Sequence, residues 1–336
     1  MTVVVTGASG HVGANLVRAL LAAGRRVRVL LRGRPIGLEG LDLEIVRGDV
    51  LDPATLAPAF AGAEVLFHLA ARISISGDHR GLVTRTNVLG ARNVADAALA
   101  AGVRRMVHVS SIHAFALETA TPLDERSPRA VDPRREPAYN LSKYAGEGEI
   151  RRAIDRGLDA TIVNPTGIVG PYDYRPSRTG RTLLQLYRRS LPALVPGGFD
   201  FVDVRDVVDG ILAAETRGRT GENYILGNRW IAVRELADIA HRVTGRRPPR
   251  LSSPMALARA TAPFFELGGH FARREPLYTR ESLLALRATR DIRHDKAARE
   301  LGYAPRPFED TVRDTYAWFA RAGVIPADAA RGGGEP

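Results

Sequence analysis

Short apolar runs alternate with helical patterns along the first half of the chain. Runs such as Val3–Thr6 and Val65–Leu69 are almost continuously hydrophobic, which is typical of strands covered on both faces. Longer segments between them, such as His11–Ala23, carry the spaced apolar positions that predict helices. The alternation favours βαβ units and an α/β fold, a Rossmann-type doubly wound parallel sheet with helices on both sides.

The remaining elements of the first half follow the same pattern. The expected strands are Arg26–Leu31, Glu44–Arg47, Arg105–Ser110 and Ala160–Asn164, and the expected helices are Pro53–Phe60, Val83–Ala101 and Ala138–Arg156. Ligands of such a sheet bind at the carboxyl ends of its strands. The residues that follow each strand are therefore the first candidates for chemistry.

The pattern changes after Pro165, where prolines and glycines become more frequent. The expected strands are Phe199–Val204 and Asn223–Leu226, and the expected helices are Asp206–Thr216, Ala232–Thr244, Met255–Phe265, Arg280–Leu286, Asp295–Leu301 and Phe308–Ala322. We therefore expect a first domain at 1–165 to which 199–216 return, a smaller and mostly helical substrate lobe at 166–198 and 217–325, and a flexible tail at 326–336.

Composition narrows the class of protein. The 336 residues are 45% hydrophobic and 25% charged, and none is cysteine, so disulfides, thiolate metal sites and cysteine nucleophiles are excluded. We predict no metal site. No leader segment fits before the first strand, and no apolar run reaches the roughly 18 residues of a membrane span. A cytoplasmic protein is expected.

The net charge of +11 raises the question of a nucleic-acid partner. The arginines are scattered, and many lie close to acids on helical segments such as Arg287–Arg299. A smaller anionic ligand, such as a phosphorylated cofactor, accounts for the charge equally well. We predict no nucleic-acid partner.

A glycine-rich loop follows the first strand. The sequence Thr6–Gly13 spells TGASGHVG, in which glycines allow a sharp turn, close approach of backbone to a pyrophosphate, and tight helix–strand packing. The N-terminus of the next helix would supply N–H groups to the phosphates. The first domain is therefore predicted to bind a dinucleotide through Gly7, Ser9, Gly10, His11, Val12 and Gly13.

The end of the second strand bears on nucleotide preference. An acid at this point would bind the ribose 2′-hydroxyl of NAD, whereas arginine suits the 2′-phosphate of NADP. No acid is present in residues 27–34, and Arg32 and Arg34 follow the strand. We expect NADP(H) to be preferred and NAD(H) to remain usable, the alternative being that these are solvated loop arginines.

Three candidate catalytic elements come next in chain order. Asn87 lies near the start of a long helix, Ser110 and Ser111 end a strand, and Tyr139 and Lys143 are four residues apart on one helix face. Lys143 is one of only two lysines in the chain. An ammonium beside a phenol would favour the phenolate and make the tyrosine a usable acid or base. A serine hydroxyl could orient a substrate carbonyl.

Together these features resemble the extended short-chain dehydrogenases/reductases. The matching motifs are TGASGHVG, GDV at Gly48–Val50, HLAA at His68–Ala71, TNVLG at Thr86–Gly90, VSS ending at Ser111, YNLSK at Tyr139–Lys143, NPTGIVGP at Asn164–Pro171 and DKAARELGY at Asp295–Tyr303. The resemblance implies that Tyr139 is the acid/base, Lys143 its partner and Ser111 the substrate-orienting hydroxyl.

The resemblance also implies further cofactor contacts. Asp49 and Val50 would flank the adenine, and Lys143 would bind the nicotinamide ribose. The remaining implied contacts are Leu69, Ala70 and Ala71 along the cofactor and Pro165, Gly167 and Ile168 near the nicotinamide. Two of the candidates have structural alternatives: Asp49 could cap a turn, and Asn87 could cap its helix.

Three functions are open within this resemblance. Dihydroflavonol-reductase-like proteins imply an NADPH-dependent carbonyl reductase, or the reverse alcohol dehydrogenase. A bacterial group called hopanoid-associated sugar epimerases, similar over 170–198, implies an NAD-dependent nucleotide-sugar epimerase. Leu31–Arg32, without an acid, and Ser111–His113, without the acids of sugar dehydratases, favour the reductase. A non-catalytic NADP-binding redox sensor is the least favoured, since the tyrosine–lysine pair is present.

The substrate is the least specified part. His113, Tyr172, Tyr174 and Arg175 are candidate contacts because they follow the strand-end serines or the turn near the nicotinamide. The apolar segment 254–265 could roof a hydrophobic pocket, lie in the core or form a subunit contact. We expect a small carbonyl or alcohol substrate and leave open a homodimer.

Overall fold

The structure is a computed structural model that describes residues 1–75, 77–118, 121–257, 286 and 289–327. Its first half contains strands β1 (Thr2–Thr6), β2 (Arg26–Leu31), β3 (Glu44–Arg47), β4 (Val65–His68), β5 (Arg105–Val109) and β6 (Ala160–Pro165). The helices of this half are α1 (His11–Ala22), α2 (Leu56–Phe60), α3 (Leu82–Thr84), α4 (Gly90–Ala100) and α5 (Ala138–Ile154).

The second half adds strands β7 (Gly167–Val169), β8 (Gly198–Asp203), β9 (Asn223–Leu226) and β10 (Arg229–Ala232). Its helices are α6 (Arg178–Arg188), α7 (Val204–Arg217), α8 (Val233–Thr244), α9 (Asp295–Leu301) and α10 (Phe308–Arg321). The predicted long helix at 83–101 is interrupted, because a π-helical turn at Arg85–Leu89 joins α3 to α4.

A seven-stranded sheet forms the centre of the first domain. Its strand order is β3-β2-β1-β4-β5-β6-β9, and every neighbouring pair is parallel. The order reverses between β1 and β4, which is the switch point where doubly wound sheets bind ligands. The predicted Rossmann-type fold class is confirmed.

Strand β1 illustrates why apolar runs become central strands here. Val3, Val4 and Val5 are all fully buried. Val3 and Val5 pack in the cluster that contains Leu16 of α1, whereas Val4 packs in the cluster that contains Phe60 of α2. Successive side chains point to opposite faces of a strand, so a strand with helices on both faces buries its side chains on both.

A second, three-stranded sheet carries the other lobe, in the order β10-β8-β7. Residues 199–216 contribute to both sheets. Strand β8 pairs with β7 and β10 in the small sheet, whereas α7 packs against α1, β5 and β6 of the first domain. The helices α6, α8 and α10 pack together around this sheet.

Some sequence expectations fall outside the described residues. They are most of the predicted helices Met255–Phe265 and Arg280–Leu286, most of the apolar segment 254–265, and the tail from 328 onward. Among the helices that are described, none combines the length and the hydropathy needed to span a bilayer.

Candidate active site

A cavity of about 1390 Å³ follows the carboxyl ends of the strands of the large sheet and extends into the second lobe. Every residue expected to contact the cofactor lines it: Gly7, Ser9, Gly10, His11, Val12, Gly13, Arg32, Arg34, Asp49, Val50, Leu69, Ala70, Ala71, Lys143, Pro165, Gly167 and Ile168. The sequence therefore located one wall of the cavity. The role of each residue in binding stays a prediction.

The glycine loop is packed too closely to hold side chains. Gly7 has φ +73, and a Cβ there would lie 2.6 Å from the backbone N of Ala70. A Cβ on Gly13 would lie 2.3 Å from the carbonyl oxygen of Gly7. These contacts bring the start of α1 against both β1 and the end of β4, as a dinucleotide-binding turn requires.

The N-terminus of α1 is suited to an anion. Its N-cap is Gly10, and among the described residues no side chain caps the first turn and no acid lies in it. The N–H groups of that turn and the positive end of the helix dipole are therefore directed to the cavity. The site fits the diphosphate of a nicotinamide dinucleotide.

The part of the cavity lined by the residues after β2 and β3 contains an ion pair. Arg32 Nη1 lies 3.4 Å from Asp49 Oδ2, and the Arg32 side chain is 67% exposed. Asp49 Oδ1 also accepts a hydrogen bond from Leu51 N at 3.0 Å, so Asp49 does cap a turn. An exposed guanidinium held in place by a carboxylate can still present its outer edge to a phosphate.

Ser111, Tyr139 and Lys143 all line the cavity. The Ser111 side chain, as a hydrogen-bond partner, opposes the rise in the pKa of Tyr139, whereas the hydroxyl of Ser110 has no partner among the described residues. Lys143 is buried, and its Nζ donates to the carbonyl oxygen of Val109 at 3.1 Å. The geometry agrees with the preference for Ser111 over Ser110.

The electrostatics of Tyr139 differ from the sequence-based expectation. The Lys143 ammonium was expected to favour the phenolate, but burial raises the pKa of Tyr139, opposed only by the hydrogen bond from Ser111. Burial also lowers the pKa of Lys143 to about 8, opposed by the charge of Glu147. Tyr139 is therefore a neutral phenol at neutral pH, and in this state it can donate a proton.

Asn87 lies outside the cavity wall. Its Oδ1 accepts from Arg72 N at 2.7 Å, and its Nδ2 donates to Arg72 O at 3.0 Å and to Ser142 Oγ at 2.9 Å. It lies within the π-helical turn, and the N-cap of that helix is Gly81. Asn87 thus joins the loop after β4 to α5. The structure supports neither direct contact with ligand nor the helix-capping alternative.

The four candidate substrate contacts all line the cavity, but they lie in different parts of it. The His113 ring centroid is 5.6 Å from that of Tyr139 and 5.7 Å from that of Phe199. Tyr174 accepts a hydrogen bond from Arg18 on α1 at 2.8 Å, and its ring packs against Gly37 in the loop after β2. His113 therefore adjoins Tyr139, whereas Tyr174 adjoins α1 and the loop after β2.

The wall of the second lobe was not found from the sequence. It is largely apolar and is formed by Leu117, Leu191, Leu194, Val195, Phe199, Phe201, Val233 and Leu236. These residues come from separate segments and look like ordinary core positions. Only the tertiary fold shows that they face a cavity.

Buried histidines predict a loss of stability in acid. Burial lowers the pKa of His68 to about 3 and that of His113 to about 4, and it lowers that of His108 as well. The unfolded chain takes up these protons below about pH 6.5 while the folded chain does not. Each histidine should therefore reduce the free energy of unfolding by about 1.4 kcal/mol per pH unit from about pH 6 downward.

Urea unfolding of the wild type and of His113→Asn between pH 7.5 and 5 checks this. Burial raises the pKa of Asp200 to about 6, so this group opposes the histidines, but its effect cancels in the comparison. As the pH is lowered, the free energy of unfolding of the variant should fall less steeply than that of the wild type. The difference between the two slopes should correspond to about one proton per molecule. Parallel profiles of the two proteins would contradict the prediction.

Comparisons with known proteins agree with this geometry. Residues 3–227 match the sequence profile of the NAD dependent epimerase/dehydratase family. Sterol demethylase protein B of Methylococcus capsulatus is 38% identical over 331 residues, which cover 97% of this chain and all of that protein. A Synechocystis protein provisionally named a dihydroflavonol 4-reductase is 35% identical over 329 residues, or 96% of this chain and 95% of that one.

The crystal structure of gox2253 has the same fold. It matches with a TM-score of 0.83 and 37% sequence identity, and the match covers 96% of this chain and 99% of that one. The resemblance found in the sequence, including its dihydroflavonol-reductase-like branch, is confirmed.

Proposed function

Because the chain belongs to the NAD dependent epimerase/dehydratase family of extended short-chain NAD(P)-dependent enzymes, we propose that it is an NADPH-dependent reductase of ketones or aldehydes. In this proposal Tyr139 donates the proton to the carbonyl oxygen, Ser111 orients that oxygen, and Lys143 binds the nicotinamide ribose. The reverse reaction would oxidise the alcohol. A cytoplasmic location is part of the proposal.

In this proposal, some groups of the chain bind the cofactor and others orient the substrate and transfer the proton. The N–H groups at the start of α1 would hold the diphosphate, and Arg32 the 2′-phosphate. A nicotinamide cofactor held there would supply the hydride. A substrate carbonyl placed beside the Ser111 and Tyr139 hydroxyls would accept hydrogen bonds from both, which stabilises the negative charge that develops on its oxygen. Tyr139 then transfers its proton to that oxygen.

The proposal is supported by the placement of Tyr139 and Ser111 in the lining of one cavity that also has an apolar wall; burial raises the pKa of Tyr139, so its phenol is protonated at neutral pH. A protonated phenol is the form required to reduce a carbonyl. An apolar wall is suited to a bulky hydrophobic carbonyl compound, because burying its surface contributes about 25 cal/mol per Å². The name of the Synechocystis relative is that of a reductase.

A nucleotide-sugar epimerase is the second candidate. Arg175, Arg178 and Arg181 line the cavity, and guanidinium groups match the geometry of a diphosphate. The absence of an acid at Leu31–Arg32 weighs against it, since NAD-binding sites commonly use an acid there.

Cofactor retention separates the two candidates. A reductase must exchange NADP(H) in every turnover, so the purified protein should release it on gel filtration and oxidise NADPH when ketones or aldehydes are added. An epimerase regenerates its cofactor and should purify with NAD bound, which absorbance of the denatured supernatant would reveal. Stoichiometric NAD, with no NADPH oxidation across a carbonyl panel, would favour the epimerase.

Nucleotide preference should depend on Arg32. Arg32→Asp should raise the KM for NADPH roughly 10- to 100-fold, because a hydrogen bond to a charged group contributes about 1.5–3 kcal/mol. The KM for NADH should change little or fall. Arg104→Asp is the control, since it changes the net charge equally at the exposed, opposite end of β5. Equal use of the two cofactors by the wild type would contradict the prediction.

A further inference from the structure

Helix α5 carries a buried carboxylate in line with its two cavity residues. Tyr139, Lys143 and Glu147 recur every four positions, so they lie along one side of the helix. Tyr139 and Lys143 line the cavity, whereas Glu147 is fully buried behind them. A carboxylate without access to water is costly unless its charge and lone pairs are satisfied.

Both carboxylate oxygens of Glu147 have partners. Oε1 accepts from Asn164 Nδ2 at 2.7 Å, and Oε2 accepts from Asn223 Nδ2 at 3.1 Å. Arg129 Nη1 lies 3.3 Å from Oε2 and forms an ion pair with it. The carboxylate is therefore held by groups from β6, from β9 and from the segment before α5.

The same network reaches Ser111. Asn164 Nδ2 also donates to the carbonyl oxygen of Ser111 at 2.9 Å, and Asn164 Oδ1 accepts from Asn223 Nδ2 at 2.7 Å. The Asn164 side chain is thereby fixed between Glu147 and the residue whose hydroxyl bonds to Tyr139. Asn164 therefore links the Glu147 carboxylate on α5 to the backbone of Ser111 just after β5.

Lys143 is the second group that Glu147 affects. Burial lowers the pKa of Lys143 to about 8, and the charge of Glu147 opposes that shift. The groups around Lys143 on β4, on β5 and in the turn after β5 are His68, His108 and His113, and burial keeps all three neutral at neutral pH. Glu147 forms an ion pair with Arg129, and the charges of Arg151 and Glu125 act in turn on Arg129.

We propose that Glu147 is a positioning residue for the catalytic group: its buried carboxylate compensates the charge of Lys143, one helical turn away, and, through Asn164, holds Ser111 at the correct distance from Tyr139. It touches neither substrate nor cofactor. The catalytic consequence rests on the proposed function, but the effect on Lys143 does not.

The composition of the chain allows a direct test. Lys143 and Lys296 are its only lysines, so protein labelled with ¹³C at lysine Cε gives two titrating NMR signals. Lys296 forms an ion pair with Glu222 at 2.5 Å and serves as an internal control. Glu147→Gln keeps the shape and removes the charge. It should lower the midpoint of the Lys143 titration by roughly one pH unit and leave Lys296 unchanged.

Two matched variants separate charge from packing. Glu147→Asp keeps the charge in a shorter side chain and should leave the Lys143 midpoint near that of the wild type. If Glu147 acted only through packing, the effects of the two variants should be reversed: Glu147→Gln should be harmless and Glu147→Asp should disrupt the structure. Glu149→Gln makes the same substitution on the outer side of α5, where Glu149 pairs with Arg92, and should not move the Lys143 signal.

Arg129→Met covers the case in which Glu147→Gln does not fold. It removes the cation that offsets Glu147 and should move the Lys143 midpoint upward. Once a carbonyl substrate is identified, the loss of kcat at high pH should move with the Lys143 midpoint in each variant. An unchanged Lys143 midpoint in Glu147→Gln, or in Arg129→Met if the former is unfolded, would overturn the proposal. Absence of reductase activity with shifted midpoints would reject only the proposed reaction.

Discussion

Replacing Tyr139 by Phe should lower kcat for carbonyl reduction by roughly 10²–10⁴-fold, the usual contribution of a positioned general acid. The substitution removes one oxygen from a side chain whose hydroxyl bonds to Ser111 and is protonated at neutral pH. NADPH binding should change little, because the N–H groups of α1 and the glycine loop are untouched. Steady-state kinetics with NADPH, together with a fluorescence titration of NADPH, measures both quantities.

Tyr144→Phe is the control for this prediction. Tyr144 lies on the same helix, is partly buried and packs against the core of the second lobe, so it should lose no activity. Turnover by Tyr139→Phe at the wild-type rate would mean that another group donates the proton, and the assignment of Tyr139 would be wrong.

Gly13→Ala should remove most of the cofactor affinity and part of the stability. The added Cβ would lie 2.3 Å from Gly7 O and 2.7 Å from Ala8 Cα, both rigid backbone atoms of the loop. Such overpacking typically costs about 1–3 kcal/mol. Displacing the loop from α1 by about 1 Å should weaken NADPH binding on the order of 10- to 100-fold. Urea unfolding and NADPH titration measure the two effects.

Gly148→Ala is the control that separates the effect of the Gly13→Ala clash from the effect of alanine on helix propensity. Gly148 is also inside a helix, but a Cβ there meets nothing within 4 Å. Alanine should stabilise that helix by about 0.5–1 kcal/mol, with cofactor affinity unchanged. If Gly13→Ala were as stable as Gly148→Ala and bound NADPH normally, the close packing of the loop would not be a requirement for binding.

The fold could be predicted from the sequence where burial on both faces of a strand dominates the choice of residues. Strands covered on both faces, such as β1 and β6, contain runs of apolar residues, so their bounds were predicted to within one residue. The helix predicted at 83–101 was harder. Nothing in its pattern distinguishes an α-helix from one interrupted by the π-helical turn that brings Asn87 against Arg72 and Ser142.

Some residues of the candidate site could likewise be predicted from the sequence, and others could not. Gly7, Tyr139 and Lys143 could be found because their chemistry requires fixed residue types at fixed spacings. The apolar wall that includes Phe199 and Phe201 could not be found, since these residues face the cavity only after two sheets have packed together. Glu147 had a usable signal, its four-residue spacing from Lys143, but its role depends on contacts with Asn164 and Asn223, which are remote in sequence.

Isotope transfer from the cofactor tests the central claim most directly. The protein would be supplied with NADPH deuterated at both C4 positions of the nicotinamide and with a carbonyl compound from the activity panel, and the product analysed by mass spectrometry and NMR. We expect deuterium on the new carbinol carbon, one NADPH oxidised for each alcohol formed, and loss of both in Tyr139→Phe. Turnover of a sugar nucleotide with no net change in the cofactor would contradict it.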